Sequence, residues 1–284
     1  MIGFINVYKP SNMTSNFVVQ KVRKRFGISK IGHMGTLDPL ASGILPLAVG
    51  KATRLFDYML EKVKMYRVTY EFGYETDTLD STGNVINTCD FLPSRNDILA
   101  IIKSMIGKQN QIPPKYSAKN VNGSRAYDLA RKGIDFELKP KEIEIFDISL
   151  TDYNDKSCSF EIRCSAGTYI RAIGRDIAYK LNSLATMTRL ERCETGVFTL
   201  SNAIQFDDLL NTNNLNDVIL SPLDVFKNYD QIVIDYNQYI DLKNGKKIKY
   251  KYLDKNSFLI YEDIIVGICK SGKDYLKLDT YLEG

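Results

Sequence analysis

Along this chain the spacing of apolar positions switches repeatedly between two and three to four residues, and that switching predicts a mixed α/β protein. The opening run Gly3-Phe4-Ile5-Asn6-Val7-Tyr8 reads as a strand entering a turn at Lys9-Pro10. Val18, Val19, Val22 and Phe26 recur at helical spacing, with Thr14 or Ser15 available as a cap and Gly27 as a stop. Residues 64–74 alternate, Tyr66, Val68 and Tyr70 against Arg67, Thr69 and Glu71, as a half-buried strand does. A short amphipathic helix is expected over 97–106, then an irregular basic segment over 111–119 and a helical turn over 125–131 ended by Gly133. Two alternating strands, 141–150 and 157–164, precede a helix from about 169 to 181.

The pattern changes after about residue 228. Residues 231–236 read as a strand, and Asn244-Gly245 is a turn signal. In Lys247-Ile248-Lys249-Tyr250-Lys251-Tyr252 lysines alternate with apolar residues, so one face would be buried and the other basic. Short strands near 257–261 and 264–270 complete a small all-β unit. The expected organisation is therefore a large domain over 1–229 and a small β module over 230–284. There is no internal repeat and no low-complexity tract.

Composition narrows the class. The 284 residues are 44% hydrophobic and 25% charged, ordinary values for a globular protein with a buried core. No apolar run is long enough to cross a bilayer. The first residues lack the basic region and apolar stretch of a secretion signal, so a cytoplasmic protein without membrane contact is expected. Five cysteines without a CxxC pair, and a single histidine, argue against a Cys/His metal site and leave reduced, buried thiols as the expectation. A serine or cysteine hydrolase would have to use His33, and no nucleophile-elbow sequence accompanies it.

The net charge is only +4, but the basic residues cluster. Lys21, Arg23, Lys24, Arg25 and Lys30 form one group, and Lys243, Lys246, Lys247, Lys249 and Lys251 another. Clustering of this kind suits a polyanionic partner. A solvated basic face is the competing reading of either cluster alone.

The most informative stretch runs from Gly32 to Pro46, GHMGTLDPLASGILP. It sets one carboxylate, Asp38, between a glycine-rich turn and Pro39, which pushes Asp38 out of helical geometry. A carboxylate on so stiff a loop is a candidate catalytic group. An Asx-turn, with Asp38 bonding its own backbone, is the alternative.

The whole segment, continuing to Gly50-Lys51-Ala52-Thr53-Arg54, resembles the signature of the TruB family, which converts a uridine in the T loop of transfer RNA, position 55, to pseudouridine. Other blocks agree in order. Lys9-Pro10 resembles the family's opening turn, and Lys64-Met65-Tyr66 with Thr76-Asp77-Thr78-Leu79-Asp80-Ser81-Thr82-Gly83 its second block. The segment 111–133, containing Lys115, Lys119, Arg125 and Arg131, is similar to the tRNA-clamping insertion of the bacterial enzymes. Cys164-Ser165-Ala166-Gly167-Thr168-Tyr169-Ile170-Arg171 and Leu190-Glu191-Arg192 match the last two blocks, the latter with Glu191 where the family has arginine. Beyond residue 230 the resemblance to an RNA-binding PUA module is loose.

The resemblance implies an α/β pseudouridine-synthase core, a mixed and largely antiparallel sheet with flanking helices, followed by the small PUA-like module. It implies Asp38 as the essential carboxylate, Arg171 as its ion-pair partner, Tyr66 stacking on a flipped uracil, and Tyr169 and Leu190 lining the pocket. His33 would fill space beside the flipped nucleotide or bond its phosphate. Lys9, Lys115, Lys119, Arg125, Arg131, Lys247, Lys249 and Lys251 would contact RNA. Thr76, Asp77 and Asp80 read better as a turn than as catalytic groups. No cofactor or metal is implied, and the partner is tRNA, met by a monomer without an obligate protein partner. A single carboxylate suits a reaction from which water must be kept, whereas glycosidases use two. Two rivals remain at this point: the guide-RNA-dependent relatives of the family, and a tRNA-binding protein that aids folding without catalysis.

Overall fold

The computed structural model describes residues 1–58, 63–121, 123–251, 253 and 256–282; Tyr252, expected in the alternating lysine strand, lies outside them. Its frame is a ten-stranded mixed sheet. The main path runs Ile204–Gln205, Gly3–Lys9, Ser42–Val49, Ala185–Thr195, Lys64–Phe72, Ser157–Cys164, Lys141–Tyr153, Gly107–Gln111. Only Gly3–Lys9 with Ile204–Gln205, and Ala185–Thr195 with Ser42–Val49, pair in parallel. The sheet is therefore largely antiparallel, as expected.

Three of the predicted helices form, two of them with side-chain caps at their starts. Ser15–Phe26 is capped by the Thr14 side chain on Phe17 N and stopped by Gly27 in the left-handed region. Arg95–Lys103 starts with a reciprocal capping box between Ser94 and Asp97. Ile170–Lys180 buries Ile170, Ile173 and Ile177 against the sheet. Tyr66, Val68, Tyr70 and Phe72 all point into the core from the Lys64–Phe72 strand, with Arg67 exposed opposite them.

The C-terminal unit is a five-stranded sheet, ordered Gln231–Val233, Ser257–Tyr261, Ile264–Ser271, Tyr275–Tyr281, Ile248–Lys249. It departs from the sequence reading in three ways. A helix, Tyr236–Lys243, follows the first strand, capped by Asp235 and Gln238. Gly245, with φ +77°, ends that helix instead of forming a hairpin turn. The lysine-bearing strand is only Ile248–Lys249, because Tyr250 N bonds Asp274 O outside the ladder.

The two sheets share a core. Phe4 and Ile44 from the large sheet pack with Phe226, Phe258, Ile260 and Ile268. The Phe226 ring lies 5.9 Å from that of Phe4 and 4.5 Å from that of Phe258, bolting the small sheet to the back of the large one. Among the described residues no helix is long and apolar enough to cross a membrane.

Phe226→Ala should destabilise the protein by about 3–5 kcal/mol, as expected for an aromatic side chain deleted from a closed core. Denaturant unfolding followed at both sheets would measure it. A loss below about 1 kcal/mol would show that the sheets do not depend on this bolt.

Candidate nucleotide-sized active site

The loop that carries Asp38 is tied down on both sides of that residue. Ser15 Oγ accepts from Leu37 N at 2.8 Å and donates to Leu37 O at 3.0 Å, and Asn12 N donates to Pro39 O at 2.7 Å. Ala41 N closes a turn on the backbone oxygen of Asp38 at 3.1 Å. The carboxylate itself is left for another partner, so the Asx-turn reading does not hold. That partner is Arg171. Its Nε lies 2.9 Å from Asp38 Oδ2 and its Nη2 3.2 Å from Oδ1, a two-pronged fork that sets the plane of the carboxylate.

Arg171 also joins two other segments to the site. Nη1 donates to Thr78 O at 2.9 Å and sits 3.6 Å from Asp80 Oδ2, while Nη2 donates to Tyr116 O at 3.0 Å. Thr76 to Thr82 is the polar turn expected from its residues: Thr76 Oγ1 donates to Asp80 O, and Thr82 N to Asp80 Oδ1. Its link to Arg171 was not legible in the chain. The Arg171 side chain is 8% exposed and that of Asp38 33%, so the guanidinium is buried and one edge of the carboxylate faces the cleft.

That cleft measures about 680 Å³. Its walls include Tyr66, Tyr169, Leu190, His33 and Arg131 of the residues singled out above, together with Asp38 and Arg171. Tyr66 and Leu190 are almost wholly buried, and burial pushes the Tyr66 hydroxyl up to about 12. Tyr169 is held at the start of its helix by Gln111, whose Oε1 accepts from Tyr169 N and whose Nε2 donates to Tyr169 O. Three of the buried polar side-chain atoms without a partner among the described residues belong to or adjoin this cleft: His33 Nδ1, Ser117 Oγ and Arg192 Nη1.

Lys9 corrects the sequence reading. It is fully buried, and its ammonium donates to Pro10 O, Met13 O and, at 3.4 Å, Pro39 O. Three carbonyls occupy its three protons, so no phosphate can reach it where it lies. Burial pushes its pKa down to about 8, against the pull of Asp38. Lys9 braces the Asp38 loop from beneath.

The remaining basic residues stand outside the cleft. Lys115 pairs with Asp135 at 3.2 Å, Lys119 donates to Lys139 O and Arg125 to Ala118 O. The segment holds a hairpin, Asn120–Val121 with Ser124–Arg125, and the short helix Ala126–Arg131. Lys247, Lys249 and Lys251 are exposed on the C-terminal unit, Lys247 lying 4.1 Å from the Tyr275 ring centre. Of the N-terminal cluster, Arg25 is committed to Leu210 O and Thr212 O.

Two residues central to the site escaped the sequence reading. Arg192 is fully buried; its Nε donates to Ile44 O at 2.7 Å and its Nη2 to Gly35 O at 3.1 Å, clamping the loop at both ends. Lys64 lines the cleft and is pushed down to about 8 by burial, with Arg192 adding to the effect. Both stand in quoted motifs, but nothing in spacing marks Lys64 as facing the cleft or Arg192 as buried behind it.

A family model described as TruB family pseudouridylate synthase, N-terminal domain, matches residues 23–170. The tRNA pseudouridine synthase B of Clostridium novyi (strain NT) is 41% identical over 256 residues, covering 90% of this chain and 88% of that protein. That of Clostridium tetani is 40% identical over 285 residues, 98% of each. Among solved structures, an H/ACA RNP bound to a substrate RNA containing 2'-deoxyuridine superposes with a TM-score of 0.75. It covers 99% of this chain and 85% of that one at 19% identity, a likeness of fold.

Lys9→Met should cost about 2–4 kcal/mol, because it strips donors from buried carbonyls. The salt dependence of polyanion binding should stay unchanged. A flattened salt slope with native stability would restore Lys9 as a phosphate contact.

Proposed function

Because the chain belongs to the TruB family of pseudouridylate synthases, we propose that it isomerises the T-loop uridine of tRNA, position 55, with Asp38 as the essential carboxylate. The observation that carries this reading is a carboxylate one-third exposed, forked by a buried arginine, in a cleft with room for one nucleotide, where the neighbouring Asp80 is buried. A uridine within a folded loop must leave its stack before any group can reach its glycosidic bond. Once extruded, its uracil stacks on Tyr66, with Tyr169 and Leu190 lining the pocket. The N1–C1′ bond then breaks, the base turns, and C5 bonds to C1′; the C5 proton is lost and N1 gains one, so the change is an isomerisation. Arg171 fixes the plane of the carboxylate and keeps its lone pairs aimed at the nucleotide. The extruded nucleotide, filling the cleft, displaces the water that would otherwise convert the reaction to hydrolysis.

The RNA outside the loop meets the exposed cations. Lys115, Lys119, Arg125 and Arg131 lie on the segment 111–133, and the surface pair Lys115–Asp135 is weak enough to give way to a phosphate. Lys247, Lys249 and Lys251 add a second basic face on the module 230–284, which acts as the RNA-binding domain. The enzyme works as a cytoplasmic monomer without guide RNA or protein partner. Lysines on a built-in arm supply the positioning that base pairing to a guide would otherwise give.

The purified chain should convert the target uridine of an unmodified T-arm stem-loop with no other macromolecule present. Asp38→Asn should abolish conversion and leave stem-loop affinity within a few-fold, since phosphates supply most of the binding. Turnover near the parent rate in that variant would remove Asp38 from the chemistry. If the pure chain is inert until a cellular RNA fraction is added, the guide-dependent reading replaces this one.

Arg171→Lys should lower the saturated rate by about 100-fold or more, the scale expected when a reacting group is misplaced by an ångström. The KM should change far less. A rate within fivefold of the parent would show that the fork does not set the carboxylate.

A further inference from the structure

Lys64 on the wall of the cleft and Arg192 buried behind it carry positive charge that, among the described residues, no carboxylate pairs with; the Tyr66 hydroxyl, a neutral group, is the side chain set against Arg192. An atom placed where a Cβ of Gly35 would stand lies 3.4 Å from Lys64 Nζ and 3.5 Å from Arg192 Nη1, so two cations converge on one glycine. Among the described residues no hydrogen bond or ion pair occupies the Lys64 ammonium, and Arg192 Nη1 is buried without a partner. Of the groups acting on Lys64, Arg192 and Lys141 repel its charge and only the Cys164 thiol favours it. That thiol is itself pushed up to about 11 by burial, so it is neutral at pH 7 and cannot serve as counter-ion. His33, on the same wall, has a buried Nδ1 without a partner and is held neutral by burial and by Arg192.

Burying like charges together without an acid is unfavourable unless a ligand supplies the opposite sign. We propose that Lys64, backed by Arg192 and seated over Gly35, binds a backbone phosphodiester directly flanking the nucleotide held at Asp38. This rests on the RNA-isomerase reading above and adds to it a defined anion subsite. Gly35 has φ +114°, which favours glycine, and a Cβ there would only touch both nitrogens at ordinary contact distance. The contact lies on the wall shared with Tyr66, one residue pair along the same strand, so it would hold the extruded nucleotide by its backbone while the base meets the ring. His33 Nδ1 or Nε2 can add a second bond to the same phosphate.

The test is equilibrium binding of a T-arm stem-loop that already carries pseudouridine at the target and so cannot turn over. Wild type, Lys64→Met and Lys64→Arg are each measured against salt, and again with a neutral methylphosphonate placed 5′ or 3′ of the target nucleotide. Lys64→Met should bind about tenfold more weakly or worse. Its log–log salt slope should fall by roughly 0.7–0.9, the share of one phosphate. One of the two methylphosphonates should weaken wild type and leave Lys64→Met unaffected, while Lys64→Arg restores most of the affinity and that sensitivity. Equal slopes in wild type and Lys64→Met, or full sensitivity of Lys64→Met to both methylphosphonates, would overturn the assignment. Thermal melting of both variants separates a folding defect, which Lys64→Arg would bypass. Failure of wild type itself to bind the stem-loop would count against the RNA-isomerase reading and not against the subsite alone.

Discussion

The site is organised around one buried guanidinium. Arg171 spends every face of its planar group on a different part of the chain: the Asp38 carboxylate, the backbone of the 76–83 turn, and the backbone of the 111–118 segment. None of these segments is adjacent to another in sequence, and none is a regular element that would hold its own position. Removing the guanidinium would therefore disconnect three loops at once, besides leaving a carboxylate without its partner. Arginine is required for this because only a rigid fork can meet a carboxylate on one edge and two carbonyls on the others. Its burial is tolerable because Asp38 and Asp80 both lie against it.

The sheet supplies the frame that makes such a hub useful. The short parallel pairing of Arg192 with Gly43 brings the end of the Asp38 loop against the central strand. Gly43 adopts φ +104°, and a Cβ there would lie 2.3 Å from Arg192 O, so the approach of the two backbones is open to glycine alone. The same Arg192 then turns its side chain back to Gly35 O and Ile44 O. Backbone pairing and side-chain bonds thus fix both ends of the loop from one residue. Lys9 and Ser15 hold its middle. The geometry of Asp38 is consequently set by the fold before any substrate arrives, which is the condition for a preorganised reacting group.

How much of this was legible in the chain depended on the kind of signal. Amphipathic elements with caps, such as Ser15–Phe26 and Lys64–Phe72, announce themselves by period and by terminal residues. Ser42–Val49 does not: its run is buried on both faces and reads as apolar without a period. Ala185–Thr195 hides its alternation behind two register shifts, and Tyr236–Lys243 is too short and too polar to stand out beside a turn signal. Asp38, Tyr66, Arg171 and Leu190 were found through ordered motifs, and they do meet at one cleft. Lys9 was expected to contact RNA from the resemblance alone, and only tertiary structure shows the three carbonyls that hold it. Lys64 and Arg192 needed tertiary structure, since what distinguishes them is a missing counter-charge.

That missing charge bears on why the cleft is built as it is. Asp38 and Asp80 are both committed to Arg171, so they cannot also neutralise Lys64 and Arg192. An apolar residue at 64 would pack in the same space at less electrostatic cost, and hydrophobic replacements of buried charges are often stabilising. A chain that keeps the cation carries a destabilised patch at its cleft, of the kind stored where binding relieves it. A carboxylate placed there would remove the repulsion but would also repel an RNA backbone and compete with Asp38 for Arg171. The imbalance is therefore most economically read as complementarity: a polyanion would complete the field in the cleft, and the Asp38 carboxylate is kept from that role by its own arginine.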